Sequence, residues 1–424
     1  MGLCASKPDR PVDGLGDLND LGDLGWTGDN GSHGSHGSHG WQAEPGNGSC
    51  GGSSSERAIT SADTQWKLHA DLVNAVSAGA SASQVLSGSE DGSCVLYDWR
   101  HGEEVKRWAG HDRGINAVLF GPRRTCAFTA SRDLTICQWS VEQRESVQSF
   151  SGHTLTVSAL TLSPDETVLC SGGRDSTVRL WDVASGRQIA QNATPRNLVT
   201  SLKWVPGEPC ILQGSEDLRM RVWDTRAANG AGSTLKVEKL YAGHSNIPLA
   251  VDVSLDGQSF LSCHKGFDSV GCELRVWDRR QTEARQLLHG HTQAVNSCAF
   301  LPHCGSGRGG SAAFAASAGK DKTLRVWALG GGEQGECVAT HYFATAVLDM
   351  AVLAQPASDL YGSRAGGDEG ADPVVLEING VGNDDGVDRL ALGCTDGSLH
   401  VLEVRNQGGR GVEIVHLMQT APSG

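Results

Sequence analysis

Short runs of β-branched and apolar residues, such as Thr177-Val178-Arg179-Leu180-Trp181, recur along the chain between clusters of Gly, Asp and Ser. Runs of this kind with this punctuation predict β-strands joined by tight turns. They carry a signature, a turn aspartate followed six positions later by tryptophan, at Asp133 and Trp139, Asp175 and Trp181, Asp217 and Trp223, and Asp321 and Trp327. Weaker copies are Asp91 with Tyr97 and Asp396 with Leu402, while Trp277 keeps a Trp-Asp pair without the spacing, which makes seven units. Tyr97, Trp139, Trp181 and Trp223 follow one another at intervals of 42 residues. A four-stranded propeller blade needs about 40–45 residues, and the β-branched runs disfavour helical repeats of similar length. The expected fold class is all-β, a seven-bladed β-propeller.

Most units open with Gly-His, at Gly110-His111, Gly152-His153, Gly243-His244 and Gly290-His291, with His69 and His341 as partial versions. His153, Ser171 and Asp175 have the composition of a nucleophilic triad, but a catalytic site is not built in every repeat. The recurring groups are read as structural: the imidazole reaches the turn aspartate, and a Ser or Thr hydroxyl links it to the indole N–H. The expected network comprises His111, Asp133 and Trp139; His153, Asp175 and Trp181; Asp217 and Trp223; and His291, Asp321 and Trp327. Gly-His, a turn Asp and a terminal Trp-Asp at this period resemble the WD-repeat β-propellers. Closure of such a ring removes open sheet edges. Two segments compete for the closing strand, Ala58 to Leu68 and Val412 to Met418.

Composition adds limits. No run of about 18 apolar residues is present, so no spanning helix is expected. Of thirteen cysteines, Cys94, Cys137, Cys170 and Cys298 fall in or beside expected strands, and no Cys-x-x-Cys pair occurs, so reduced core thiols are expected. Cys263, His264, Cys272, His303 and Cys304 lack the regular spacing of zinc sites, and no metal or cofactor is expected. Net charge is −14. Residues 1–58 carry eight acidic and three basic side chains and residues 355–388 carry eight and one, so the ring is nearly neutral. Nucleic acid is an unfavourable partner for these acidic segments.

The same two segments are the least foldable. Residues 1–58 hold a Gly-Ser-His repeat through His39 and a Gly-Asp-Leu run from Gly14 to Leu24, and read as a disordered tether. Residues 59–424 are assigned to the propeller, with 355–388 an acidic insertion in the last blade, either a filler loop or a recruitment surface. Met1-Gly2-Leu3-Cys4-Ala5-Ser6-Lys7 matches the N-myristoylation pattern, which needs Gly2 and a small hydroxyl residue four positions on. One acyl chain binds membranes only reversibly, and palmitoylation of Cys4 supplies the second signal, giving a lipidated tether and attachment to a cytoplasmic membrane face.

A closer resemblance lies in the fourth and fifth units. Arg196-Asn197-Leu198-Val199-Thr200, Trp204-Val205-Pro206 and Ser215-Glu216-Asp217 are similar to the WD repeat-containing protein 31 family. So are Leu261-Ser262-Cys263, Gly266-Phe267, Gly271-Cys272-Glu273 and Trp277-Asp278, with the widened turn Lys265 to Cys272. The resemblance implies a non-enzymatic ciliary protein, associated with cilium assembly and regulation of intraflagellar transport alongside regulators of small GTPases. The residues themselves point only to a membrane-tethered interaction platform, monomeric because a self-closed ring needs no second copy.

In WD-repeat propellers the residue before the turn aspartate faces one rim, which here places Glu90, Arg132, Arg174, Glu216, Lys320 and Thr395 there; Arg132 and Arg174 are neighbours and, with Arg113 and Arg196 in adjoining loops, form a basic crescent for an acidic partner segment. The alternative is a substrate receptor of a cullin-RING ubiquitin ligase, from the Trp-Asp-x-Arg endings at Arg226 and Arg280. An enzyme is disfavoured, because no phosphate-cradling glycine loop opens a helix.

Overall fold

The computed structural model describes residues 68–420 apart from 80, 122–124, 144, 195, 227, 229–232, 305–312, 331–334, 354–386 and 408–410. The expected tether with Gly2 and Cys4, and nearly all of the acidic insertion, lie outside these residues. The described residues form seven four-stranded sheets and no helix, and each sheet uses four strands consecutive in the chain. Seven innermost strands line the axis: Val73–Ala78, Ile115–Phe120, Val157–Leu162, Val199–Trp204, Pro248–Val253, Val295–Leu301 and Val347–Val352. Each touches the next, and the first touches the seventh, so the ring is closed. These sheets are blades one to seven.

Of the two segments that compete for closure, Val412–Gln419 is the fourth strand of blade seven, paired with Leu399–Asn406. Blade seven also takes in Asp388, which the sequence reading placed in the acidic insertion. The strand Val387–Cys394 begins before it, and its buried carboxylate accepts the backbone N–H groups of His303 (3.0 Å) and Cys304 (2.8 Å).

The core is not central. It is divided into seven apolar clusters, each between two adjacent blades. The signature residue of each third strand is the wedge against the preceding blade: Trp139 packs with Leu86 and Ile115, Trp181 with Phe128 and Phe150, and Leu402 with Leu324 and Val326. A bulky side chain therefore recurs because every blade has one such interface to fill, and an indole covers more of it than any other side chain.

The inner strands are joined by a second device. In all seven blades the register between the first two strands slips at the second residue of the inner strand, a β-bulge. A bulge re-aims its extra side chain. In five blades that side chain donates to the first carbonyl of the next inner strand: Asn74 to Ile115 O (3.0 Å), Asn116 to Val157 O (3.2 Å), Ser158 to Val199 O (2.5 Å), Thr200 to Pro248 O (2.6 Å) and Asn296 to Val347 O (2.7 Å). Blades five and seven carry Leu249 and Leu348 there instead. At those two junctions an aspartate accepts a backbone N–H of the following blade, Asp252 from Phe300 and Asp349 from Val76, both at 2.9 Å. Burial raises the Asp349 carboxyl against the lowering effect of these bonds. Close approach is helped by glycine on the second strand: a Cβ at Gly172 would lie 2.3 Å from Val199 Cγ1, and one at Gly393 would lie 2.6 Å from Val73 Cγ1.

Asn116→Ala leaves the Val157 carbonyl without its donor and is expected to lower unfolding free energy by about 1–3 kcal/mol. Trp181→Ala, which opens a cavity between blades two and three, is expected to cost more, about 3–5 kcal/mol. Urea denaturation of the two variants checks both the sizes and their order.

Candidate interaction face

The loop that enters each inner strand and the turn between the second and third strands lie on one face of the ring, because one hydrogen-bonded relay joins them. In blade two the Trp139 indole N–H donates to Thr129 Oγ1 (2.8 Å), which sits 2.6 Å from His111 Nε2, while His111 Nδ1 lies 2.7 Å from Asp133. The carboxylate accepts only, so Nδ1 carries the proton and the hydroxyl donates to Nε2. Blade three repeats the relay through Trp181, Ser171, His153 and Asp175, with distances of 2.8, 2.7 and 2.9 Å. Blade six repeats it through Trp327, Ser317, His291 and Asp321, with 2.8, 2.7 and 2.8 Å. Burial alone would raise the Asp321 carboxyl, but the His291 bond and its neighbours outweigh it and hold the group at about 2. Ser171 is wholly buried and already serves both His153 and Trp181, which leaves it no room as a nucleophile. In blade one His69 keeps Ser87 (2.7 Å) and Ser93 (3.0 Å), with Asp91 at 3.6 Å, and Tyr97 brings no indole.

The other three blades depart from the expected network. Blade four contains no histidine in it: the Trp223 N–H donates to Gln213 Oε1 (2.6 Å), Gln213 donates to Asn197 Oδ1 (2.6 Å), and Asp217 is held by Arg221. The neighbouring Gly243-His244 serves blade five, where His244 Nδ1 lies 2.7 Å from His264 Nε2 and His264 Nδ1 lies 2.8 Å from the Glu273 carbonyl. That carbonyl can only accept, so His264 donates from Nδ1 and accepts from His244 at Nε2. In blade seven the position of the loop histidine, four residues before the inner strand, is taken by Phe343, and His341 belongs to the outer strand Glu336–Tyr342 of blade six. Its ring stacks on His416, which bonds His400 at 3.0 Å. Burial, with His264 nearby, brings His244 down to about 3; burial brings His264 to about 4 despite the Glu273 carbonyl; and burial with His416 brings His400 to about 4.

The sequence-predicted crescent is electrically interrupted. Arg132 donates to Glu90 at 2.6 Å in the preceding blade, and Arg174 lies 3.6 Å from Glu216 in the following one. Arg113, Arg196 and Lys320 are exposed and form no ion pair among the described residues. Glutamates before the turn aspartate in blades one and four therefore set the charge pattern, and the sequence shows them at Glu90 and Glu216. Arg226 and Arg280 lie on the opposite face, 69 % and 80 % exposed, each bonded to the aspartate of its own Trp-Asp pair at 2.7 and 2.8 Å.

Sequence reading missed the apolar part of the face. Leu134 and Leu218 occupy the left-handed turn position, φ 74° and 63°, where Gly92 and Gly397 stand in blades one and seven. Both leucines are exposed, as are Leu155 in the blade-three loop and Phe267 and Val270 in the widened turn of blade five. The Asp-to-Trp spacing shows which residue follows each turn aspartate, but not that its side chain stays in solvent.

The cysteine and histidine group considered for zinc is split. Cys263, His264 and Cys272 belong to blade five, whereas His303 bonds Asp388 at 2.7 Å and Cys304 meets the Val404 carbonyl at 3.1 Å. Among the described residues no group of three or more His, Cys, Asp or Glu is placed to hold a metal ion. The described cysteines are free, most of them buried, and burial pushes the Cys137 thiol to about 11 and Cys394 to about 12.

Four segments match the family described as WD domain, G-beta repeat: residues 62–98, 102–140, 144–182 and 282–328. They end on the third strands of blades one, two, three and six, the blades in which histidine faces a turn aspartate. The signature third strands of blades four, five and seven, where the relay is rewired, lie outside the matched segments.

Three of the depressed imidazoles, those of His244, His264 and His400, set a pH dependence. Their ordinary value is 6.5, so the unfolded chain binds protons below that pH that the folded ring refuses until about pH 4 or lower. The contribution of these three to stability is therefore complete above pH 6.5 and falls as the pH drops, by at most about 1.4 kcal/mol per pH unit for each such group. Urea midpoints are expected to decline from pH 7 to pH 5, less steeply in His400→Asn. With seven sheets in a closed ring, the chain is a seven-bladed β-propeller, and four of its segments match the WD domain, G-beta repeat.

Proposed function

We propose that this propeller is a non-enzymatic scaffold, held at the cytoplasmic face of a membrane by acylation of Gly2 and Cys4, that binds other proteins through the Gly-His face and acts in cilium assembly and intraflagellar transport. The observation that carries the interaction role is the pair Leu134 and Leu218. A side chain in the left-handed region costs about 1–2 kcal/mol that glycine avoids, and more than a third of each leucine stays in solvent in the free molecule. Apolar side chains interspersed with arginine suit a protein contact. The recurring His, Ser and Asp groups are used up in the relays, which favours binding over catalysis. The acylation pattern supports the tether, and the resemblance to the WD repeat-containing protein 31 family supports the ciliary setting.

A second reading, a cullin-RING substrate receptor, draws on the exposure of Arg226 and Arg280 on the opposite face. Replacing both with alanine and losing co-purified adaptor supports it, and finding no adaptor with the wild-type chain removes it.

In ciliated cells a C-terminally tagged chain is expected at the ciliary base or membrane, with Gly2→Ala and Cys4→Ser diffuse. Equal diffuse distribution of all three sinks the tether. Arg132→Glu with Arg174→Glu is expected to reduce partner recovery about tenfold or more. The swap Glu90→Arg with Arg132→Glu keeps the ion pair, so recovery that returns in the swap marks a structural effect and recovery that stays low marks a contact.

A further inference from the structure

The widened turn of blade five is a small hairpin. Phe267 and Val270 exchange both backbone hydrogen bonds, at 3.0 and 2.9 Å, across Asp268 and Ser269, whose φ angles are 48° and 66°. Two successive positive φ values make a type I′ turn, the tightest hairpin connection. Directly opposed residues of an antiparallel pair project on the same side, so the two apolar side chains stand together. They are 70 % and 73 % exposed, well beyond Leu134, Leu155 and Leu218 on the same face.

The hairpin is fixed to its surroundings. The Ser269 N–H donates to Thr292 O of the blade-six loop at 2.9 Å, and Cys272 at its base is buried. A Cβ on Gly266 would lie 2.3 Å from the Cys272 nitrogen. The Thr292 N–H in turn donates to Asp321 at 3.1 Å, between Lys320 and Lys322. This chain of contacts sets the apolar pair against the blade-six turn. Lys265, Lys320 and Lys322 are exposed and form no ion pair among the described residues, while Asp268 at the apex is the carboxylate of the hairpin.

We propose that this corner of blades five and six docks an acidic segment of a partner protein that carries a bulky apolar side chain, a proposal that rests on the scaffold reading. Phe267 and Val270 receive the apolar group with little backbone ordering cost, since the hairpin is already set. The three lysines pair with the flanking carboxylates, which supply orientation and on-rate. A bilayer is the poorer occupant, because one approaching the apex meets the Asp268 carboxylate first, and burying it there is costly.

The test probes the full-length chain with short synthetic peptides in which acidic, apolar and basic positions are varied independently. Retention is expected only on peptides that hold both Asp or Glu and Phe or Leu. It is expected to fall about tenfold or more in Phe267→Ser with Val270→Ser, and to weaken on acidic peptides in Lys320→Glu with Lys322→Glu. These side chains are exposed, so melting temperatures stay close to wild type. No retention, retention indifferent to acidic content, or retention unchanged in both variants overturns the proposal. So does Phe267-dependent binding to phosphatidylserine vesicles, or Phe267-dependent self-association in sedimentation. If the Phe267 and Val270 variant still recovers partners from cells while Arg132 and Arg174 variants do not, this corner fails and the scaffold reading survives.

Discussion

The ring depends on one local device, the bulged second residue of each inner strand. A sheet has no reason to present a polar side chain sideways to the next sheet, and the slip in register supplies it. Five blades use Asn, Ser or Thr there to reach the following blade's first carbonyl, and aspartate bonds serve the two junctions where leucine intrudes. Because the apolar core is split into seven separate interfaces, each junction needs its own polar fastening. The same geometry brings the Gly-His loops and the turns to one face.

That face is a structure in which chemistry-bearing residues hold loops in place. Where histidine, hydroxyl and aspartate line up, the relay satisfies the imidazole at both nitrogens and fixes its tautomer. In blade five Ser262 still accepts the Trp277 indole N–H at 2.9 Å, but His264, two residues on, bonds His244 in place of a turn aspartate, and the chain inserts the hairpin that carries Phe267 and Val270. Departure from the repeat and exposure of apolar surface thus occur at the same place, the pattern expected when a scaffold gives up local regularity for a contact.

The blade count and the order of strands were legible because the Asp-to-Trp spacing repeats a physical need, one wedge per interface. The relays of blades two, three and six were legible for the same reason. Asn197 and Gln213 were not, because an amide pair replaces the histidine and hydroxyl while leaving Asp217 and Trp223 in register, so the signature looked intact. The arginine crescent was misjudged in charge, since Glu90 and Glu216 precede their aspartates in the very positions that Arg132 and Arg174 hold, and neighbours in a ring pair across blades. The bulge residues Asn74, Asn116, Ser158 and Thr200 recur at 42. They were overlooked because small polar residues at a strand start read as turn punctuation.

Amine-reactive crosslinking of the chain in ciliated cells, read by mass spectrometry, tests the central claim that partners meet the Gly-His face. The account predicts partner crosslinks at Lys265, Lys320 and Lys322. Crosslinks confined to Lys236 and Lys239 on the outer strand of blade four, with none on those three, would contradict it.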